Sequence, residues 1–450
     1  MRRLIPASFP LLLAIASPVH AGEVDGFRLS GSARLRFETI DDQARAGFNT
    51  ADSLVNLRTQ VMAEYRARPF RVVLDLYDSR VWGGDAGTPV TTGEVNALEL
   101  VQAYVAADLG PVLGKGTRTG IQAGRMMLNL GSRRLVAADD YRNTTNGYTG
   151  VKLDLATDAG TTATLIYTLP QVRLPDDAAG LRARRVEWDR ESFDLVLWGG
   201  LVGHPLTRRT GAPPVRGELA FFHLGERDAP GRPSRDRSLD TAEARIVAEP
   251  KPGHVDYELE AMYQWGMASA SLAAAAPHQQ VSATYFRMAA GYTLPDAWKT
   301  RILFELDRAS GDGTGPRYGR FDPLFGMRRA DLAPAGLYNE IARANVVSPG
   351  VRVEVAPPGR LDAFIGYRAL WLASRTDAFS STGVRDAAGR SGSFAGHQFD
   401  VRLRYWLIPA HLRFELDGVL LAKGRFLREA PNAPPGPSTR YLSLNLTASL

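Results

Sequence analysis

Between residues 124 and 146 the chain reads GRMMLNLGSRRLVAADDYRNTTN, which sets Arg125, Arg133, Arg134 and Arg142 around the acidic pair Asp139 and Asp140. A guanidinium offers a planar fork of donors that grips a carboxylate or phosphate through two parallel hydrogen bonds, a geometry that a lysine ammonium lacks. The same preference runs through the whole chain. Lysine occurs only at Lys115, Lys152, Lys251, Lys299 and Lys423, so nearly all positive charge is arginine. With 54 basic against 48 acidic residues the formal charge is +6, too mild a surplus for a nucleic-acid binder. The chemistry implied is local recognition of anions.

Other chemistries find little support. The chain has no HExxH, GxSxG, phosphate-loop or dinucleotide fingerprint. Its histidines, at 20, 204, 223, 254, 278, 397 and 411, are never spaced as a metal pair. The run DRASGDGTG at 307–315 lacks the full oxygen-ligand spacing of a calcium loop and reads as a flexible loop. Neither a metal nor another cofactor is expected, and an enzyme is disfavoured.

The elements that must position the arginines show themselves as alternation. In FRLSGSARLRFE (27–38), Arg28, Ser30, Ser32, Arg34, Arg36 and Glu38 share one face; Phe27, Leu29, Gly31, Ala33, Leu35 and Phe37 share the other. A period of two is a strand with one dry and one wet face. The pattern returns at 54–66 and 411–420, and at the C-terminus Leu442, Leu444, Leu446, Ala448 and Leu450 form an apolar face. About 18 such segments recur, at roughly 26–38, 53–66, 69–80, 97–109, 117–127, 146–156, 160–170, 191–203, 215–224, 240–249, 255–265, 279–291, 298–308, 345–355, 360–373, 395–406, 410–422 and 439–450.

Connections alternate too. Long ones (39–52, 81–96, 128–145, 171–190, 225–239, 309–344, 374–394 and 423–438) are separated by brief ones such as Ala67-Arg68 or Pro409. Short turns at one end and long loops at the other predict an all-β fold, a transmembrane antiparallel up-and-down β-barrel with periplasmic turns and extracellular loops. The connection at 204–214, HPLTRRTGAPP, is long for a periplasmic turn and is expected to fold back toward the pore.

Solvent decides orientation. An arginine on the lipid face near the midplane costs about 2–4 kcal/mol, so Arg34, Arg36, Arg402 and Arg404 must face the lumen. Trp82, Trp265, Trp298 and Trp406 fall at segment ends, where an aromatic girdle would sit. A β-helix would show short regular rungs and a string of sandwiches would show linkers; neither is present.

Before the barrel, Arg2 and Arg3, the apolar run Leu11 to Ile15 and the small-residue site Val19-His20-Ala21 make residues 1–21 a signal peptide, leaving 22–450 as a single outer-membrane domain. The chain has no cysteine, so no disulfide supports it.

A barrel of this size encloses water, and the wet-face charges then line a conduit. The expected lining is Arg34, Arg36, Arg58, Glu64, Asp75, Arg125, Arg301, Glu305, Arg402, Arg404, Arg413 and Glu415, with Arg133, Arg134, Asp139, Asp140 and Arg142 on a constricting loop. Successive arginines would bind an anion, and intervening carboxylates would weaken each site enough for the anion to move on. The competing reading is that opposed charges on neighbouring strands simply brace the wall.

Particular runs carry a family likeness. GSRRLVAADDYRN (131–143) followed by NGYTGVKL (146–153), RASGDG (308–313) followed by RFDPLFG (320–326), and RLRFE (34–38) with EYRARPFRVVLDLYDSR (64–80) resemble the alginate-export family of outer-membrane porins. The resemblance implies an 18-stranded monomeric barrel with an electropositive, arginine-rich conduit that loops occlude. It places Arg133, Arg134, Asp139 and Asp140 in the family's loop, and Arg34, Arg36 and Arg58 on strands that line the conduit. Two departures stand out: Gly326-Met327-Arg328-Arg329 follows FDPLF where family members often continue with a Pro and a His, and the last residue is Leu450 rather than an aromatic. The expected partners are outer-membrane lipid, the outer-membrane assembly machinery, and an anionic saccharide or small anion. The expected function is passive conduction of an anionic solute, an alginate-like polyuronate being one. A small-solute nutrient porin is the nearest alternative, and a barrel enzyme or adhesive surface barrel the one from another class.

Overall fold

The computed structural model describes residues 25–450 except 208–210, 212, 230, 274 and 330. The leader expected at 1–21 lies outside the described residues. Eighteen strands form one closed antiparallel sheet. They are β1 (Gly26–Asp41), β2 (Asp52–Ala67), β3 (Phe70–Trp82), β4 (Asn96–Gly110), β5 (Thr117–Met126), β6 (Tyr148–Thr157), β7 (Thr162–Pro170), β8 (Leu195–Thr207) and β9 (Val215–Glu226). The second half comprises β10 (Ser238–Ala248), β11 (Val255–Ser269), β12 (His278–Thr293), β13 (Arg301–Ala309), β14 (Val346–Val355), β15 (Leu361–Trp371), β16 (Phe394–Ile408), β17 (Leu412–Lys423) and β18 (Ser438–Ser449). Each strand pairs with its neighbours in sequence, and β1 closes on β18 from Ser32 opposite Ser449 to Asp41 opposite Arg440.

Burial is inverted relative to a soluble protein. On β1, Phe27 and Leu35 are 69% and 52% exposed while Arg36 and Glu38 are 1% and 0% exposed. Leaving one such apolar side chain in water forfeits about 1.5–3 kcal/mol, and the wall repeats this on nearly every strand. Only a hydrocarbon solvent outside makes that arrangement stable, and closure removes the unpaired sheet edge that lipid could not solvate.

At the short-turn end two residues suffice between β2 and β3, and three between β16 and β17, where Ala410 takes a left-handed φ of 64°. At the other end residues 313–317 stay exposed, while the segment 127–147 and the described residues of 318–345 fold into the barrel mouth. There Ile40, Leu54, Val81, Met126 and Tyr148, from the inward ends of strands, pack against Leu128, Leu135, Val136, Phe321, Leu332, Leu337 and Ile341 from the two segments. The inward alternation thus turns from charged to apolar as a strand nears its extracellular end, as Ile40 follows Glu38 on one face.

Two expectations need correction. Residues 204–207 continue β8, with Pro205 opposite Arg216 and Thr207 opposite Val215, so the first four residues of the long connection belong to the wall. Its described Gly211 accepts a hydrogen bond from exposed Lys251 on the adjacent turn, 2.5 Å away, at the barrel rim rather than in the pore. Trp406 is not a girdle residue: it shares the inward face of Arg402 and Arg404, pairs with Arg413 in the register, and carries that guanidinium 5.5 Å from its ring centre. Strand alternation sets that direction, whatever the preference of indole for interfaces.

Candidate substrate conduit

The 127–147 segment leaves β5 and crosses the mouth. It carries no regular element because its backbone hydrogen-bonding groups are satisfied by side chains reaching up from the wall. Arg34 on β1 and Arg58 on β2 both donate to the Asp140 carbonyl, at 3.2 and 3.1 Å, and to the Arg142 carbonyl, at 2.6 and 3.2 Å. Arg36 donates to the Tyr141 carbonyl at 2.6 Å and to Asn445 Oδ1 at 2.5 Å, with its guanidinium 4.2 Å above the Tyr141 ring. The Tyr141 hydroxyl donates to Asp417 at 3.0 Å, tying the segment to β17. Asn143 adds bonds to the carbonyls of Leu57, Arg80 and Glu94 at 3.3, 3.2 and 2.9 Å.

The 310–345 segment meets it from the opposite wall. Phe325 N–H donates to the Leu135 carbonyl at 2.9 Å, Ala137 N–H to the Phe325 carbonyl at 3.2 Å, and Met327 N–H to the Arg133 carbonyl at 3.0 Å, a short parallel pairing inside the barrel. Arg134 locks the junction. Its guanidinium donates to Asp331 at 2.8 and 3.0 Å, to Glu258 on β11 at 2.8 and 2.9 Å, and to Glu260 at 2.7 Å. Burial alone would lower the Arg134 pKa, but Asp331, Glu258 and Glu260 outweigh it and hold it well above the ordinary value. Asp331 likewise lies well below the ordinary carboxylate range: burial would raise it, and Arg134, Arg287 and Arg343 more than offset that.

The loop charges resolve differently from the simplest expectation. Arg133 pairs with Asp140 at 3.0 Å and Asp139 with Arg142 at 3.0 Å, whereas Arg134 touches neither aspartate. Its partners lie far away in sequence, which no local spacing could reveal.

Along the wall, Arg402 and Arg404 share Asp362 at 3.2 and 2.8 Å, and Arg413 stands 3.6 Å from Glu415. Arg301 is enclosed by Asp256 at 2.5 Å and Glu354 at 2.9 Å. Glu305 receives Arg368 at 2.5 Å, Arg287 at 3.1 Å and Arg352 at 3.5 Å. Glu64 pairs with Arg66 at 3.0 Å, and Asp75 accepts from Gln60 and Gln102 at 3.1 and 2.9 Å.

Arg125 is the exception among the expected lining residues. Its register partners are Ala103 and Thr149, and it continues the face of Ala123 and exposed Ile121, Val105 and Val151, which is the outward one. The guanidinium is held by Glu99 at 2.5 Å, Glu191 at 2.9 Å and the carbonyls of Leu100 and Asp189. The physical reason is that β5 ends here and the chain turns inward. The 171–194 segment lies against the wall here, with Val186 bridged to Ala97, and Arg125 ties it down through Glu191 and the Asp189 carbonyl.

Sequence reasoning did not single out Glu258, Glu260, Arg287, Asp331, Arg343 or Asp362. The alternation in YELEAMY (257–263) could have found the first two. Asp331 and Arg343 lie in an irregular segment without any such signal. No group of acidic residues and histidines suited to a metal ion occurs among the described residues.

The family described as alginate export matches residues 27–435. Among solved structures, the chain is similar to OccAB1 of Acinetobacter baumannii, with 11% identity and a TM-score of 0.59 over 94% of this chain and 96% of that one. It is also similar to OccK11 (OpdR) of Pseudomonas aeruginosa, with 14% identity and a TM-score of 0.55 over 95% and 97%, and to OpdK of Pseudomonas aeruginosa crystallised with vanillate, with 12% identity and a TM-score of 0.56 over 94% and 98%. Among curated protein sequences none matches the chain.

Proposed function

Because the chain belongs to the alginate export family and forms an 18-stranded barrel of the bacterial outer membrane, we propose that it is a passive channel whose arginine-lined wall conducts an anionic solute, with a polyuronate of the alginate kind as the fitting substrate. The observation that carries this reading is the manner in which Arg34 and Arg58 are held. Their donors go to the Asp140 and Arg142 carbonyls, which fix the guanidiniums without cancelling their charge. Arg402 and Arg404 add two further cations against the one carboxylate of Asp362. A narrow, low-dielectric passage strengthens such a field, so a carboxylate on the solute is attracted at several successive positions. Neighbouring acids such as Glu415 and Asp362 limit the depth of each well, and a multi-site path of shallow wells is what conduction needs. Repeating carboxylates on a polyuronate would pass from one fork to the next.

A second reading, a pore for small nutrients, is favoured by the junction at Arg134 and Phe325, which places a buried barrier across the mouth. The two are separated by recording purified protein in planar bilayers under a salt gradient. The polyuronate reading expects an anion-selective reversal potential and current block by uronate oligomers but not by neutral glucose oligomers. Cation selectivity, or equal block by both sugars, would remove it.

A further inference from the structure

Above the conduit arginines, the extracellular loops hold a second set of cations, and two of them carry buried donor nitrogens without an acceptor among the described residues. Arg45, from the loop joining β1 and β2, is only 7% exposed, and its Nε and one terminal nitrogen have no hydrogen-bond partner; its guanidinium lies 4.6 Å from the Phe48 ring. Arg328, from the 310–345 segment, likewise has a buried terminal nitrogen without a partner. Arg142, from the 127–147 segment, is 3.0 Å from Asp139 and donates to Asn146 Oδ1 at 2.5 Å. Arg173 adds a fourth charge, spent on neutral acceptors: the Thr92 and Thr145 carbonyls at 2.8 and 3.1 Å and Asn146 Oδ1 at 2.7 Å.

These cations face Asp139, Glu94, Glu340 and Asp189, each of which is also held by other donors. Asp139 is taken by Arg142. Glu94 accepts from the Thr91 N–H at 2.8 Å and hydroxyl at 2.7 Å. Glu340 accepts from the Ala44 N–H at 2.6 Å, and burial pushes its pKa up to about 7, so it offers Arg45 only part of a negative charge. Burial lowers Arg328 and Arg173 to about 10, with Arg142 acting against both. Both remain charged at neutral pH, and guanidiniums out of water without counter-charge are costly. The unpartnered nitrogens of Arg45 and Arg328 are buried donors with no acceptor among the described residues, and an acceptor from outside the chain would fill that place.

We propose that Arg45, Arg142 and Arg328 enclose a site for one small oxyanion, a carboxylate or phosphate group, which cross-links three extracellular loops. Guanidinium forks suit the several oxygens of such a group, and Arg45 and Arg142 are both near enough to Arg328 to act on its charge. The site is separate from the wall arginines that serve conduction. Bound anion holds the 42–51 loop onto the two inward-folded segments, so it works as a latch on the mouth of the barrel.

The test uses the full mature barrel in detergent micelles, exchanged into chloride buffer at fixed ionic strength, with thermal unfolding followed as inorganic phosphate or glucuronate replaces chloride. A ligand that binds only the folded state raises the midpoint in a saturable way. A saturable rise with at least one of the two is expected, and the more effective identifies the source as free phosphate or a sugar acid. In Arg45→Gln and Arg328→Gln the half-saturating concentration should increase by about tenfold or more, as for loss of a charge-assisted hydrogen bond. Both variants should be at least as stable as the parent in chloride alone. Arg45→Lys, which keeps the charge and loses the fork, covers the case in which the glutamine variants do not fold. A linear rise without saturation, or a saturable rise unchanged in these variants, overturns the site. Arg404→Gln should keep the rise while altering ion preference, so failure of the channel reading and failure of the latch give different results.

Discussion

Two arcs of the same barrel treat arginine in opposite ways. From β10 to β14, arginines are enclosed by acids: Arg245 between Glu218 and Glu258, Arg287 between Glu258, Glu305 and Asp307, Arg301 between Asp256 and Glu354. From β16 round to β2, Arg34 and Arg58 are held by carbonyls, and Arg402 and Arg404 divide one aspartate. The first arc has its charge cancelled and acts as a brace. The second leaves Arg34 and Arg58 on neutral acceptors, which is the surplus the proposed anion path rests on. Residue type alone does not make an anion site; the charge of what holds the guanidinium does.

The largest effect is expected at the Arg134 junction. Arg134→Ala would leave Glu258, Glu260 and Asp331 buried without their shared cation, a loss of about 3–5 kcal/mol. Expected are a lower thermal midpoint and, in bilayers, larger and noisier conductance as the two segments separate. The same contact sets a pH dependence. Because the Asp331 pKa is depressed on folding, its stabilisation is fully present above the unfolded value of about 3.9 and fades only as pH falls through the lower folded one. The Arg134 junction should therefore stay closed from neutrality to about pH 4, without the large, noisy conductance expected of Arg134→Ala, and that conductance appearing well above pH 4 would contradict the assignment.

Next in size, the double change Arg402→Gln and Arg404→Gln removes two cations from the surplus arc and should shift the reversal potential markedly toward cation preference, with little loss of folded barrel on a heat-modifiability gel. Arg301→Gln, in the compensated arc, should do the reverse: destabilisation by about 1–3 kcal/mol through unpaired Asp256 and Glu354, with anion preference almost unmoved. Equal effects of these two changes on selectivity would erase the distinction between the arcs. Smallest of all, Arg425→Gln breaks an exposed, solvent-screened pair with Glu429 and should leave both the thermal midpoint and the current unchanged.

The barrel was legible because a strand between lipid and water must alternate at every second residue, and β1, β2 and β18 write that rule out almost without exception. The inward direction of Arg34, Arg36, Arg402 and Arg404 follows from it directly. Arg125 shows where the rule stops: it sits at the end of β5, where the chain leaves the wall, and one residue of phase puts it on the outward face. The loop was legible as a loop from its irregularity and its charges, and Arg133 with Asp140 is a pair within reach along the chain.

The closed sheet, its two faces and its two ends thus follow from local periodicity and from the solvents at each surface. Which arginines are cancelled and which stay charged was decided by the tertiary structure alone. Arg134 finds Glu258 and Asp331, and Arg34 finds the Asp140 carbonyl, only because closure of the sheet folds two distant segments into one mouth. Electrostatic pairing depends on distance through space, and a barrel brings together residues whose separation along the chain carries no hint of it.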